Sequence, residues 1–176
     1  GTVEVVGRAY VPTSILGPMV GPMVVFVHGQ TGQFPGDSFY LAFDDIGRCL
    51  ARNGFVFVSV RSPAEAVSLA VDKTVRARHL LGATWAAHQL LTDQLGFDFE
   101  QLAGDRLVFM GHSRGGEAVG VAARLALAEG LVPEVFAGSV GATVALAPAN
   151  HRDEVLTGPG IAGAGVAPAS LVICGS

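Results

Sequence analysis

Lysine is almost missing from this 176-residue chain: of 11 basic residues only Lys73 is not an arginine, and the arginines are scattered rather than clustered. Against 15 acidic residues and a net charge of -4 they offer no basic face to neutralise phosphates, which argues against nucleic-acid binding. Cysteine is scarce as well. Cys49 and Cys174 are too few for a disulfide framework, and neither has a neighbour at metal-ligand spacing, so both are expected to be buried thiols. No apolar run approaches the ~20 residues that a membrane-spanning helix needs. Only 15% of residues are charged and 50% are apolar, a balance that collapses rather than staying disordered. What is left is one soluble, Gly-, Ala- and Val-rich globular domain with enough chain to bury a core.

Short runs rich in Val, Ile and Phe punctuate the chain at Met23–His28, Phe55–Val60, Arg106–Gly111 and Val140–Ala147, with a fifth at Ser170–Cys174. Continuous apolar character without alternation marks strands of a parallel sheet covered on both faces. The weaker alternating stretch Val3–Val11 reads as an antiparallel edge strand. Helical patterns lie between them. Ser38–Arg52 groups Leu41, Ile46, Cys49 and Leu50, and stops at Asn53-Gly54; Arg114–Glu129 is Ala-rich and stops at Gly130. In Val71–Leu95 the expected apolar stripe is Val71, Val75, Leu80, Leu81, Leu90, Leu91 and Leu95. Strand and helix in alternation predict right-handed crossovers and an α/β fold, a mostly parallel sheet with helices on both faces. The stretch Thr157–Ala169 has no period and reads as a connection. Its G-x-G-x-x-G match at Gly158–Gly163 follows no strand and opens no helix, and is taken as a chance match.

The stretch that carries chemistry is Arg106–Val119, where a buried strand runs into Gly111-His112-Ser113-Arg114-Gly115 and then into a helix. G-x-S-x-G in that context makes a nucleophile elbow: the turn is so tight that small residues must flank the serine two positions before and after. Ser113 would stand at the carboxyl end of the sheet, where a helix N-terminus favours developing negative charge. A serine that only caps the helix would explain Ser113 but not the glycines on either side. The run Val24–Gly29 ends in His28-Gly29 at the same sheet edge, so the amide of Gln30 and the amide of Arg114 form a candidate oxyanion hole. His28 itself reads as a packed, hydrogen-bonded core histidine. His79 and His88 read as surface residues of the long helix, His112 as packed beneath the sheet, and Glu117 as a charge suited to the helix dipole.

These motifs make the chain resemble an α/β-hydrolase of the esterase/lipase type, with the polyester hydrolase (cutinase-like) and dienelactone hydrolase or chlorophyllase-like branches as the nearest suggestions. The matching residues are His28-Gly29, GHSRGG at Gly111–Gly116, LAPA at Leu146–Ala149, ASLVICGS at Ala169–Ser176 and the opening RAYVP at Arg8–Pro12. The resemblance implies a serine hydrolase cleaving small-molecule or polymeric carboxylic esters through an acyl-enzyme on Ser113, with no metal or organic cofactor. It also implies a triad in the order Ser, acid, His. No acid and histidine follow the last strand in this sequence, so the triad partners are expected beyond Ser176, the domain being the N-terminal two-thirds of such an enzyme and the fold incomplete at its C-terminus. Asp153 is a less favoured acid and His151 an out-of-order base; both, with Phe34, are candidate cleft residues, and Phe39 and Tyr40 divide between cleft and core. A serine peptidase or thioesterase on the same fold, or a non-catalytic binding module, are the competing readings.

Overall fold

The computed structural model describes residues 5–12, 21–29, 39–62, 73–96, 106–136, 140–147 and 169–173. In chain order the elements are strand β1 (Gly7–Tyr10), strand β2 (Met23–Val27), a 3-10 turn (Phe39–Phe43) leading into helix α1 (Asp44–Arg52), strand β3 (Val56–Val60), helix α2 (Lys73–Leu95), strand β4 (Leu107–His112), helix α3 (Arg114–Glu129), a second 3-10 turn (Glu134–Phe136), strand β5 (Val140–Leu146) and strand β6 (Ala169–Ile173). They form one six-stranded sheet in the order β1-β3-β2-β4-β5-β6. Only β1 is antiparallel, pairing with β3 from Gly7 opposite Val60 to Tyr10 opposite Phe57, as the alternating N-terminal stretch predicts. The other five strands run parallel.

Register brings the carboxyl ends of the central strands level. Val27 lies beside Val60 on one side and Gly111 on the other, and Gly111 beside Ala145, so β2, β3, β4 and β5 end together at one edge. Every residue of β2 and β3 is buried because helices cover both faces. One face sets Val25, Val27, Val58 and Phe109 against α2 and α3. The other sets Val24, Phe26 and Phe57 against Ile46 and Leu50 of α1, with Phe43 beside Phe26. Each such fully buried side chain contributes about 1.5–3 kcal/mol, so the two layers supply most of the drive to fold.

Helix ends follow the glycines. Gly54, at φ 86°, reverses the chain after α1, and Gly130, at φ 62°, is the left-handed cap of α3. The α1 helix is tied to the edge strand by Asp44, whose carboxylate accepts from Arg8 at 2.8 Å and from the Tyr10 hydroxyl.

Three expectations are corrected. The buried residues of α2 are Arg76, Ala77, His79, Leu80, Leu81, Ala83, Thr84, Ala87 and Leu91, so Leu80, Leu81 and Leu91 face inward as expected, whereas Val75, Leu90 and Leu95 face outward, Leu95 being 57% exposed, and Val71 lies outside the described residues. Small alanines let α2 approach α3 and the sheet closely, and the larger leucines at the C-terminal turn are left over. His79 is buried rather than on the surface, because the Arg61 carbonyl at the end of β3 accepts from its Nε2 at 2.8 Å. Cys49 is exposed, since α1 turns Gly47 to the Tyr10 ring and Ile46 and Leu50 inward; Cys174 lies outside the described residues.

Gly82 of α2 is exposed, and a Cβ built on it meets nothing within 4 Å. Gly82→Ala is therefore expected to stabilise the fold by about 0.5–1 kcal/mol through lower unfolded-chain entropy, read as a higher Tm. A lower Tm would contradict this placement of the α2 outer face.

Candidate active site

Ser113 is the single residue between β4 and α3, and its backbone sits at φ 54°, ψ -120°. A non-glycine residue held there costs about 1–3 kcal/mol and persists only where the surroundings dictate it. They do so on both sides. Gly111 and Gly115 approach so closely that a Cβ on Gly111 would run into the Gly115 carbonyl, and a Cβ on Gly115 into the Val27 carbonyl of β2. The Ser113 N–H donates to the Leu146 carbonyl at 2.9 Å, anchoring the turn to the end of β5. The side chain makes no capping bond to the helix, and the conformation is not the extended one of an N-cap, so the turn is not held for the sake of a cap. Half-buried at the carboxyl edge of the sheet, the hydroxyl is presented at the N-terminus of the 16-residue helix α3.

The end of β2 lies directly against it. A Cβ on Gly29 would stand 2.6 Å from the Ser113 Cβ and 3.0 Å from its Oγ, so only a glycine backbone fits beside the serine. Arg114, the first residue of α3, is half-buried and reaches Glu117 with Nη1 to Oε2 at 3.2 Å. Glu117 is itself buried, and the contact keeps the Arg114 side chain folded along the helix. Arg76 of α2 is 2% exposed. Burial pushes its pKa down, and Arg114 adds to that while Glu117 opposes it.

His28 is 2% exposed and fully engaged. Its Nδ1 lies 2.7 Å from the Gly29 carbonyl, which can only accept, so the proton is assigned to Nδ1. Its Nε2 accepts from the Ser62 N–H at 3.0 Å, and Ser62 Oγ donates back to the His28 carbonyl at 2.9 Å. The packed, hydrogen-bonded core histidine expected here is what the structure contains. Phe39 stands edge-on to its ring at 5.3 Å and meets Phe43 at 5.8 Å, so Phe39 belongs to this packing; the Tyr40 carbonyl accepts from Ser59 Oγ at 2.7 Å. His112 lies 5.9 Å from Phe43, with Nδ1 buried and without a hydrogen-bond partner among the described residues. His88, expected on the surface, is half-buried with its ring 5.8 Å from Phe136.

Burial is the leading cause that pushes the pKa values of His28, His88 and His112 below 6.5; for His28 the positive fields of Arg76 and the other histidines add to it, while its bond to Gly29 opposes. A histidine with a depressed native pKa binds fewer protons folded than unfolded, so acid pulls the equilibrium toward the unfolded chain. The stability is fully present above the unfolded value near 6.5 and is lost as pH falls from there through the native values. Melting temperatures taken between pH 7.5 and pH 5 are expected to decline with acid; a Tm that holds or rises over that interval would refute neutral, buried imidazoles.

Of the residues singled out from sequence, Ser113 and Arg114 fall at one point, with Gly29 beside them. Gln30, Phe34, His151 and Asp153 lie outside the described residues. Ser62, Arg76 and His79 were not anticipated near this edge. The available signal for Ser62 was its place two residues past the end of a buried strand parallel to the one ending at His28.

No family model matches this chain, and no curated protein matches it in sequence. Solved structures do. The thermophilic esterase Est2 of the planctomycete Thermogutta terrifontis, bound to propionate, superposes with a TM-score of 0.57 at 15% identity over 83% of this chain and 50% of its own. A bacterial heroin esterase gives 0.55 at 18% identity over 82% and 44%. The protein DphMB1 gives 0.53 at 22% identity over 87% and 44%. The chain thus spans about half the length of the structures it resembles, and its architecture is the α/β-hydrolase fold.

Proposed function

We propose, from the α/β-hydrolase fold and the geometry at Ser113, that this chain carries the nucleophile of a serine hydrolase acting on carboxylic esters. The observation that supports the reading most is the serine's own backbone. A strained turn wedged between two glycines, with a hydroxyl that caps nothing, has its natural use in presenting that hydroxyl to a substrate. That fold neighbours include two esterases is consistent with the choice of reaction.

In the proposed mechanism Ser113 Oγ attacks the acyl carbonyl carbon while its proton passes to a histidine base. The C=O electron pair moves onto oxygen, and the resulting oxyanion is taken by the amides of Gln30 and Arg114. Collapse of the tetrahedral adduct breaks the ester C–O bond, and the base returns the proton to the departing alcohol. Water then attacks the acyl-enzyme by the same route and releases the acid. His28 is unsuited to be the base, since both of its nitrogens are occupied in the core, and His79 is bound to the Arg61 carbonyl. The base and the acid that orients it are assigned beyond Ser176, in the order Ser, acid, His that the resemblance implies. Gln30 joins the amide of Arg114 as an oxyanion donor, with Phe34, His151 and Asp153 at the rim of the cleft.

Intact mass of the full-length protein after treatment with a fluorophosphonate tests this. One adduct, mapped to Ser113, is the expected outcome. An unmodified protein, or an adduct on another residue, would overturn the assignment.

A further inference from the structure

We infer that the outer face of α2 is a self-association surface, on which a second copy of this chain docks with its own α2 running antiparallel. The inference is independent of the reaction at Ser113. The inner side of α2 is used up in the core, against α3 and the sheet. Its outer side carries a stripe at three- and four-residue spacing, made of Val75, Arg78, Gly82, Trp85, Gln89 and Asp93. All six are exposed. Val75 is open to 42% and Trp85 to 50%, and Leu90, bordering the stripe, to 46%. Tryptophan is a large apolar side chain with one polar N–H, and it is enriched among the residues that anchor protein interfaces. Trp85 has neither a hydrogen bond nor a ring contact among the described residues, so the fold itself makes little use of it.

The order of charge along the stripe selects a second copy as the occupant. Arg78 and Asp93 are its two charged residues, roughly 22 Å apart along the helix axis. Neither makes an ion pair among the described residues, and they stand symmetrically on either side of Trp85 and Ala86. An antiparallel two-fold pairing about that midpoint brings Arg78 to the partner's Asp93. It does so twice, because every contact of an isologous interface is repeated. The same rotation sets Trp85 against the partner's Ala86 and Gln89 against the partner's Gly82, where a Cβ meets nothing within 4 Å. Large side chains thus face small ones along the seam. A parallel pairing would instead oppose arginine to arginine and tryptophan to tryptophan. An unrelated partner would not require the stripe to be complementary to its own reverse. The helix has 23 residues. At that length, roughly 35 Å, two such faces bury less than the ~1,600 Å² of a standard interface, so the dimer is expected to be weak and reversible.

Sedimentation velocity of the full-length protein over a dilution series tests this. A monomer–dimer equilibrium with a Kd of about 1–100 µM is expected. Trp85→Glu places a carboxylate at the centre of the seam from both sides and is expected to raise Kd at least about tenfold. Arg78→Asp and Asp93→Arg each set like charges face to face at two places, and each is expected to raise Kd about tenfold. Combining the two substitutions re-forms both pairs with reversed sign and is expected to bring Kd back to within about threefold of wild type. If Trp85→Glu does not fold, as judged by its Tm, the charge-exchange series decides. A protein that stays monomeric to about 500 µM, well above such a constant, overturns the inference. So does a dimer that Trp85→Glu leaves intact, or a double exchange no tighter than the single variants, which would place self-association on another face.

Discussion

Ser113→Ala is expected to abolish ester turnover and fluorophosphonate labelling while leaving the thermal midpoint within a degree or two of wild type. In enzymes whose serine and base act as a unit, loss of the nucleophile lowers kcat by about 10⁴–10⁶. The stability half of the expectation follows from the geometry: Ser113 Oγ makes no capping bond, and the turn is held by backbone, through the Ser113 N–H to Leu146 and the Gly115 approach to Val27. Removing one half-buried hydroxyl without a structural bond changes stability by about 0.5 kcal/mol or less. Ser113→Gly sharpens the point. Glycine accepts φ 54° without penalty, so this variant is expected to be equally inactive yet more stable by about 1 kcal/mol. A residue that destabilises its own protein is retained for what it does. Retained turnover in either variant would place the chemistry elsewhere, and a Tm lowered by several degrees in both would show that Ser113 is structural.

The sheet and the tight strand-to-helix turn at Ser113 could be anticipated because both depend on local pattern. A strand buried on both faces has to be apolar throughout, which MVVFV and VFVSV nearly are, and such a strand followed by GHSRGG leaves few other turns to build. The outward face of α2 could not. Alanine, leucine and threonine occur around most of its circumference, and the choice of buried face was made by the closeness of approach that Ala77, Ala83 and Ala87 permit. Leu90 and Leu95 carry more apolar surface and still face outward. Polar burial misled in the same way. His79 is covered because a partner on another element, the Arg61 carbonyl, accepts from its ring, and Arg76 is covered although burial and the field of Arg114 both work against its charge. Such partners are far away in sequence. So is Ser62, 34 residues from the imidazole that it holds.

Gly115→Ala is expected to be among the most damaging of the glycine-to-alanine changes at the described positions, costing about 3 kcal/mol or more and depleting soluble protein. Overpacking against a side chain is relieved by rotamer shifts, at about 1–3 kcal/mol. Here the new Cβ would meet the Val27 carbonyl within the parallel ladder and lie 3.0 Å from the His28 carbonyl, so relief requires moving the end of β2 itself. That movement would shift the backbone at Gly29 that borders Ser113. Gly111→Ala strikes the same turn from the other side, at the Gly115 carbonyl and the Gly116 nitrogen, and is expected to be similarly severe. The pair separates two explanations of why the turn at Ser113 is glycine-flanked. Neither glycine is among the described residues with positive φ, so backbone freedom does not account for them. If close packing of β2, β4 and α3 is the cause, alanine at either position lowers denaturation midpoints strongly. Midpoints near wild type in both variants would mean that the strand and helix have room to separate, and the strain at Ser113 would lose its physical source.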